Sequence, residues 1–354
     1  MLLDKPQLHQ QLIYGLKLEI AQWAEQLKDK KLASIYFGGG TPSLLEASEI
    51  QTLLDEVNRY IPFDPAYTEI TLEANPETIT YEKMRCFAKA GINRISIGFQ
   101  TLDDPLLIQL GRTHQAKTSI DTVKITADAG ISNISIDLMY DIPGQTMKSW
   151  VHTLEQISPL QITHLSLYNL TIEPNTVFFK YQESLKKILP DAECSADMYK
   201  TAILMLNECG LEQYEISAFA RDGLYSRHNT GYWTGRPFLG FGPSAFSYWD
   251  NKRFRSVAQF KRYLEALQNG NSPIDFSEEL EPNKRRNELL AIALRLRNGV
   301  DCDTFEAEHG KLPPETHRAL ETLLSQNLLQ KNGSRFSITD QGVLFYDTIA
   351  VEII

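Results

Sequence analysis

The sequence predicts an α/β protein: a complete or partial (β/α) barrel followed by a small winged-helix-like α+β domain. Three observations carry this. β-rich runs alternate with helix-like segments from about residue 34 to 216, polar residues stand at the ends of those runs, and the C-terminal stretch reads as helices followed by a β-hairpin. Alternation at this spacing implies βαβ units and a parallel sheet. In barrel-like α/β folds the C-terminal ends of the strands carry the chemistry, so Glu73, Gln100 and Asp137 are placed where a site is built.

The elements follow in order. Leu12, Leu16, Leu18, Ile20, Trp23 and Leu27 give the first thirty residues a helical period. β-rich runs then end near Phe37, Glu73, Phe99, Leu138, Leu167 and Ile216. They read as near-continuous apolar runs, as expected of strands covered on both faces. Helices are expected over 47–60, 81–91 and 118–130, the last two ending in Gly91 and Gly130, which suit left-handed C-terminal caps. The rhythm breaks over 217–283, where 226-SRHNTGYWTGRPFLGFGPSAFSYW-249 is dense in aromatics and glycines. From about Pro282 a helical stretch, NELLAIALRLRNG, is followed by a helix over 314–329 and by two short strands around an Asn-Gly turn. The expected division is a barrel over 1–220, a connecting region over 221–281 and a C-terminal domain over 282–354.

Bulk composition excludes several classes. The 354 residues carry a formal charge of −10, and residues 284–354 hold nine Lys/Arg against ten Asp/Glu. Nucleic acid is therefore not expected as a partner, because phosphate contacts need clustered cations. No apolar run approaches the roughly 18 residues of a membrane span, so membrane association is expected to be peripheral at most. MLLDKPQLHQQ lacks the pattern of a signal peptide, and the expected compartment is the cytoplasm. Cys86, Cys194, Cys209 and Cys302 are too scattered for a disulfide framework or a zinc knuckle.

Three segments stand out. In 34-SIYFGGGTPSLL-45 a strand runs into three glycines, an expensive choice at a strand exit. The lysine of a phosphate-binding P-loop is absent, and so is the acidic residue of a dinucleotide-binding loop. The loop suits a compact polar group such as the ammonium and carboxylate of an amino acid; a tight structural turn is the plainer alternative. In 73-EANPE-77, Glu73 closes a strand, placed to accept from an amine or from ribose hydroxyls; an N-cap or a surface ion pair is the plainer alternative. Gln100 ends a strand, with Thr101-Leu102-Asp103-Asp104 opening a helix. Arg112 by itself reads as a solvated or ion-paired residue. Asp137 sits among apolar neighbours and needs a partner or a role; the 141-DIPG-144 that follows reads as a plain turn. In 227-RHNTGYW-233, His228 lies beside Asn229, Tyr232 and Trp233. A histidine among aromatics suits an axial ligand of heme iron, against the commoner hydrogen-bonded structural histidine.

Together YFGGGTPS, LEANPET, RISIGFQT, LGRTH, SIDLMYDIPGQT and RHNTGYW resemble, in order and spacing, the radical S-adenosylmethionine (SAM) proteins related to oxygen-independent coproporphyrinogen III oxidase. The HNxxYW pattern points to the heme-chaperone branch, HemW. The resemblance spans about residues 12–350. It implies a partial α/β barrel with a small C-terminal domain, and SAM contacts at Gly39, Gly40, Thr41, Glu73, Gln100, Arg112 and Asp137. It implies His228 as the heme-iron ligand, with Tyr232 and Trp233 as pocket walls, and an acceptor protein that receives the heme. The alternatives are an oxygen-independent coproporphyrinogen III oxidase and a non-catalytic scaffold.

The family also places a C-x-x-x-C-x-x-C loop after its first strand to hold a [4Fe–4S] cluster. This chain has no cysteine before Cys86 and opens at the helix after that loop. We expect a truncated N-terminus lacking the first strand, or else a remnant without radical chemistry. No ligand set for the cluster is expected from the cysteines present.

Overall fold

A computed structural model describes residues 5–174 and 176–354. The chain forms two compact units, one of residues 34–47 and 69–226, the other of 1–33, 48–68 and 227–354. This partition cuts across the sequence-order division at 220 and 281, because the N-terminal helix clusters with the C-terminal half.

The first unit is built on one seven-stranded sheet. Its strands are β1 (Ser34–Phe37), β2 (Glu69–Ala74), β3 (Arg94–Gln100), β4 (Asn133–Tyr140), β5 (His164–Asn169), β6 (Glu212–Glu215) and β7 (Ala218–Ala220), in the order β1-β2-β3-β4-β5-β7-β6. β1 to β5 are parallel, each joined to the next through a helical crossover. The sixth β-rich run departs from the expected rhythm. β7 pairs antiparallel with β5, and β6 pairs antiparallel with β7 at the far edge. Only two residues separate β6 from β7, too few for the dozen or more that a parallel crossover needs.

The strands are not the continuous apolar runs expected from the sequence. They are covered on both faces, β3 at every position, but the faces differ. Ile70, Leu72, Ile95, Ile97, Ile134 and Ile136 are fully buried on one. The other holds a polar row in register, Glu73 beside Ser96, Ser96 beside Ser135 and Ser135 beside His164, with Thr71 beside Arg94 and Asp137 beside Ser166 on either side of it. Barrel helices cover the outer, apolar face, so the polar row is the inner one. His164 in this row is satisfied on both nitrogens, by Ser135 Oγ at 2.8 Å and Tyr214 Oη at 3.0 Å. Burial, and after it the Arg94 charge, holds its pKa well below the usual histidine value.

Local signals account for the helix ends. The helix Tyr81–Lys89 starts with Thr80 Oγ1 accepting from Lys83 N, and Met147–Ile157 starts with a Thr146/Ser149 capping box. Gly91 and Gly130 follow their helices at φ of +102° and +100°, which glycine adopts without a Cβ penalty. Trp150 fixes Met147–Ile157 to the helix Ala192–Glu208, its ring fully buried and its Nε1 donating to Met198 O at 2.8 Å.

In the second unit the helix Pro6–Gln22 carries a signal that the apolar period hid. Glu19 is 3% exposed and accepts from Gly242 N, Ser256 Oγ and Tyr263 Oη at 2.7, 2.8 and 2.7 Å. Burial raises its pKa while these three bonds oppose the rise. The helix is thereby fixed to the three-stranded antiparallel sheet of β8 (Phe246–Trp249), β9 (Lys252–Ser256) and β10 (Ile274–Glu279), and to the helix Phe260–Gln268. The C-terminal domain runs helix Pro282–Ala293, β11 (Val300–Asp301), helices Cys302–His309 and Pro314–Ser325, then β12 (Leu329–Asn332) and β13 (Arg335–Ile338). Its sheet order is β11-β13-β12, the helix–strand–helix–helix–hairpin pattern of a winged helix. Among the described residues no helix is long and apolar enough to cross a membrane.

Candidate functional site

The glycine loop at the exit of β1 answers to two separate constraints. A Cβ on Gly38 would lie 2.6 Å from the Tyr36 ring and 3.0 Å from Glu73 Oε1. Gly39 adopts φ of +103°, and nothing stands within 4 Å of where its Cβ would be. The first glycine makes room for the protein's own side chains; the second takes a backbone shape that disfavours L side chains and borders open space. The two meet at Glu73, which accepts from Tyr36 Oη at 2.7 Å on one oxygen and from Gly39 N at 3.1 Å on the other. Burial pushes the Glu73 pKa up, and these two bonds pull it down. Thr41, 8% exposed, is tied by Asn75 Nδ2 to the turn after β2, at 3.3 Å.

Asp137 lies one row nearer the strand exits in the register, accepting from Ser96 Oγ at 3.2 Å and bonded to Ser166. It is half-buried. Burial is the main cause that pushes its pKa up to about 6; the Ser166 bond opposes the rise, the Glu73 charge adds to it and Arg94 relieves it. Arg94 is itself 2% exposed. Gln100 is 9% exposed with φ of +67°, at an irregularity in the β3–β4 register. Its amide nitrogen occupies space 2.8 Å from where a Cβ on Gly98 would lie. A buried non-glycine residue held at positive φ marks a site where conformation is over-determined by its surroundings.

The structure thus brings Gly39, Thr41, Glu73, Gln100 and Asp137 to the strand exits of one unit. Gly40 continues the loop, solvent-exposed. Arg112 is half-buried in the turn after the helix Asp104–Gln109; among the described residues no hydrogen bond or ion pair joins it to Glu73 or Asp137. Sequence reasoning missed Tyr36, Asn75, Ser96 and Arg94, although strand alternation would have placed Tyr36, Ser96 and Arg94 on the face of Glu73 and Asp137. It also passed over Asp141 as part of a plain turn. Asp141 has φ of +61°, is 8% exposed, and accepts on Oδ2 from Asn169 Nδ2 and Ser195 Oγ.

The second candidate site is the helix Arg227–Trp233 in the other unit. Arg236 folds back over Gly231 and donates to Arg227 O, filling the space of a Gly231 Cβ. His228 and Tyr232, four residues apart, share a face, with Tyr232 Oη 2.7 Å from His228 Nε2 and the rings at 80°. Tyr232 packs edge-on against Phe238 at 4.6 Å. Trp233 holds Arg295 over its ring at 4.3 Å, and Arg295 stands 5.0 Å over Tyr346. Trp233 therefore ties the motif to the C-terminal domain by a cation–π stack. A cavity of about 290 Å³ opens next to the motif, lined by Thr234, Leu289, Phe305 and His309; neither His228 nor Tyr232 lines it.

Residues 15–157 match the Radical SAM superfamily, and residues 280–345 match the HemN C-terminal domain. The chain is 32% identical over 331 residues to the heme chaperone HemW of Bacillus subtilis, covering 93% of this chain and 87% of that protein. The chain belongs to the HemW family of radical SAM proteins. The HemW of Haemophilus influenzae is 33% identical, with 96% of this chain and 87% of that protein covered. Among solved structures the HemW-family chain is similar to coproporphyrinogen III oxidase (HemN) from Escherichia coli, with a TM-score of 0.84 at 20% identity over 98% of this chain and 83% of that one. That likeness is one of fold.

The radical SAM superfamily implies SAM and a [4Fe–4S] cluster. A half-buried carboxylate beside open space at a glycine of positive φ fits an amino-acid ammonium. The cluster does not fit the donors present. Cys86 is exposed on Tyr81–Lys89, Cys194 and Cys209 lie in and at the end of Ala192–Glu208, and Cys302 belongs to the other unit. Among the described residues no three of His, Cys, Asp and Glu are grouped to hold a metal.

Proposed function

We propose that this chain is a heme chaperone, binding heme at the Arg227–Trp233 helix and passing it to an acceptor protein, on a scaffold that also holds SAM. The observation that carries the heme reading is His228, presented beside Tyr232 on one face of a helix locked by Gly231 and Arg236, in a chain 32% identical to a HemW. His228 supplies a nitrogen donor to the iron, and the Tyr232 ring offers an apolar edge to the macrocycle. The Trp233 ring, covered on one face by Arg295, supports the helix end.

For SAM, main-chain groups of Gly39, Gly40 and Thr41 receive the methionyl end, and Glu73 accepts from its ammonium. Gln100 and Asp137 serve its ribose hydroxyls, and Arg112 pairs with its carboxylate. When bound with a cluster, SAM supplies one-electron chemistry. The oxidase alternative rests on likeness of fold, with no residue favouring it. Heme titration is the test. His228→Ala should weaken heme binding by about tenfold or more, the scale of 1.4 kcal/mol or above, and shift the Soret band. An unchanged band and affinity would remove His228 as the ligand.

A further inference from the structure

We infer that the Tyr232 hydroxyl is an internal competitor for the His228 nitrogen that takes heme iron, so that cargo is loaded and released by exchange of two partners at one nitrogen. This rests on the heme reading above and concerns its regulation.

The His228 Nε2 that projects from the helix is engaged by Tyr232 Oη at 2.7 Å, a full-strength hydrogen bond. An imidazole nitrogen has one lone pair in the ring plane. If Nε2 accepts from the hydroxyl, that lone pair is taken; if Nε2 carries the proton and donates, it has none to offer. In either tautomer the Tyr232 bond must open before an iron–nitrogen bond forms there, and it closes again when iron leaves.

The surroundings decide which partner moves. The helix backbone is held by Arg236, bonded to Arg227 O across Gly231, and by Gly235 at φ of +66° just past its end. The Tyr232 ring is wedged edge-on against Phe238 at 4.6 Å and lies 6.4 Å from Trp233, which Arg295 and Tyr346 hold in turn. The Tyr232 ring is thus held in place, so exchange requires the His228 imidazole to turn toward the incoming iron; both residues are only half-buried. A net contribution of about 0.5–1.5 kcal/mol for such a hydrogen bond makes binding roughly 3–10-fold weaker than a bare imidazole would give. For a protein that must surrender its ligand, that penalty serves release.

The experiment compares wild type, Tyr232→Phe, His228→Ala and the double variant by hemin titration and by the rate of hemin transfer to apomyoglobin. Phenylalanine keeps the ring and its packing, and matching thermal unfolding confirms the fold. Tyr232→Phe should bind hemin about 3–10-fold more tightly and release it more slowly by a similar factor. Adding it to His228→Ala should change nothing further, since the competitor acts only through His228. Unchanged or weakened binding in Tyr232→Phe overturns the inference while leaving the heme reading in place if His228→Ala still loses affinity. If His228→Ala binds like wild type, the ligand assignment itself fails, and the competitor with it.

Discussion

Glu73→Gln is expected to lower retention of SAM by about 10–100-fold. The carboxylate has a donor on each oxygen, Tyr36 Oη and Gly39 N, and the latter glycine borders open space. A charge-assisted bond to an ammonium contributes on the order of 1.5–3 kcal/mol, hence the range. Glutamine keeps an acceptor for Tyr36 but removes the charge and turns an amide toward the Gly39 N–H. Gly38→Ala provides the independent check. Its Cβ would stand 2.6 Å from the Tyr36 ring and 3.0 Å from Glu73 Oε1, so it should weaken binding in the same direction without touching the ligand. Equilibrium dialysis with labelled SAM reads both. Wild-type retention in Glu73→Gln would refute the assignment of the carboxylate.

Asp137→Asn is expected to flatten the pH dependence of stability between about pH 4 and pH 6 and to stabilise the fold near pH 8. The folded carboxyl titrates at about 6, above its usual 3.8, chiefly because it is buried. Between those values the folded state holds a proton that the unfolded chain has lost, so stability falls as pH rises through the window and is level above it. The difference between 3.8 and about 6 corresponds to at most about 3 kcal/mol, and to less where the partly accessible surface lets solvent screen the charge. Glu73, Asp141 and Glu19 are raised by burial too and contribute in the same direction; the variant subtracts only the Asp137 share. Urea unfolding of both proteins at pH 4, 5, 6 and 8 checks this, and parallel curves for the two would contradict it.

The limits of the sequence reading follow from range. Helix ends depend on neighbours within one turn, and Gly91, Gly130 and Thr80 were there to be read. The alternation Arg94-Ile95-Ser96-Ile97 is equally local, but within one strand its polar face has no partner to give it meaning. Its meaning appears only when register aligns Glu73, Ser96, Ser135 and His164 across four strands. Glu19 shows the same blindness: a charged residue on an amphipathic helix reads as solvated until Gly242, Ser256 and Tyr263, more than two hundred residues away, converge on it.

The sequence by itself determined the strand–helix rhythm, the glycine loop, the strand-end acids and the HNxxYW segment, because each is encoded in residues close along the chain. Tertiary structure alone decided that Gly38 is glycine for the sake of Tyr36 and Glu73, that β6 and β7 end the parallel run as a hairpin, and that Trp233 is claimed by Arg295. The physical reason is common to all three: side-chain volume, strand pairing and charge are satisfied by whatever the fold brings near, and which residues those are is set by contacts between distant parts of the chain.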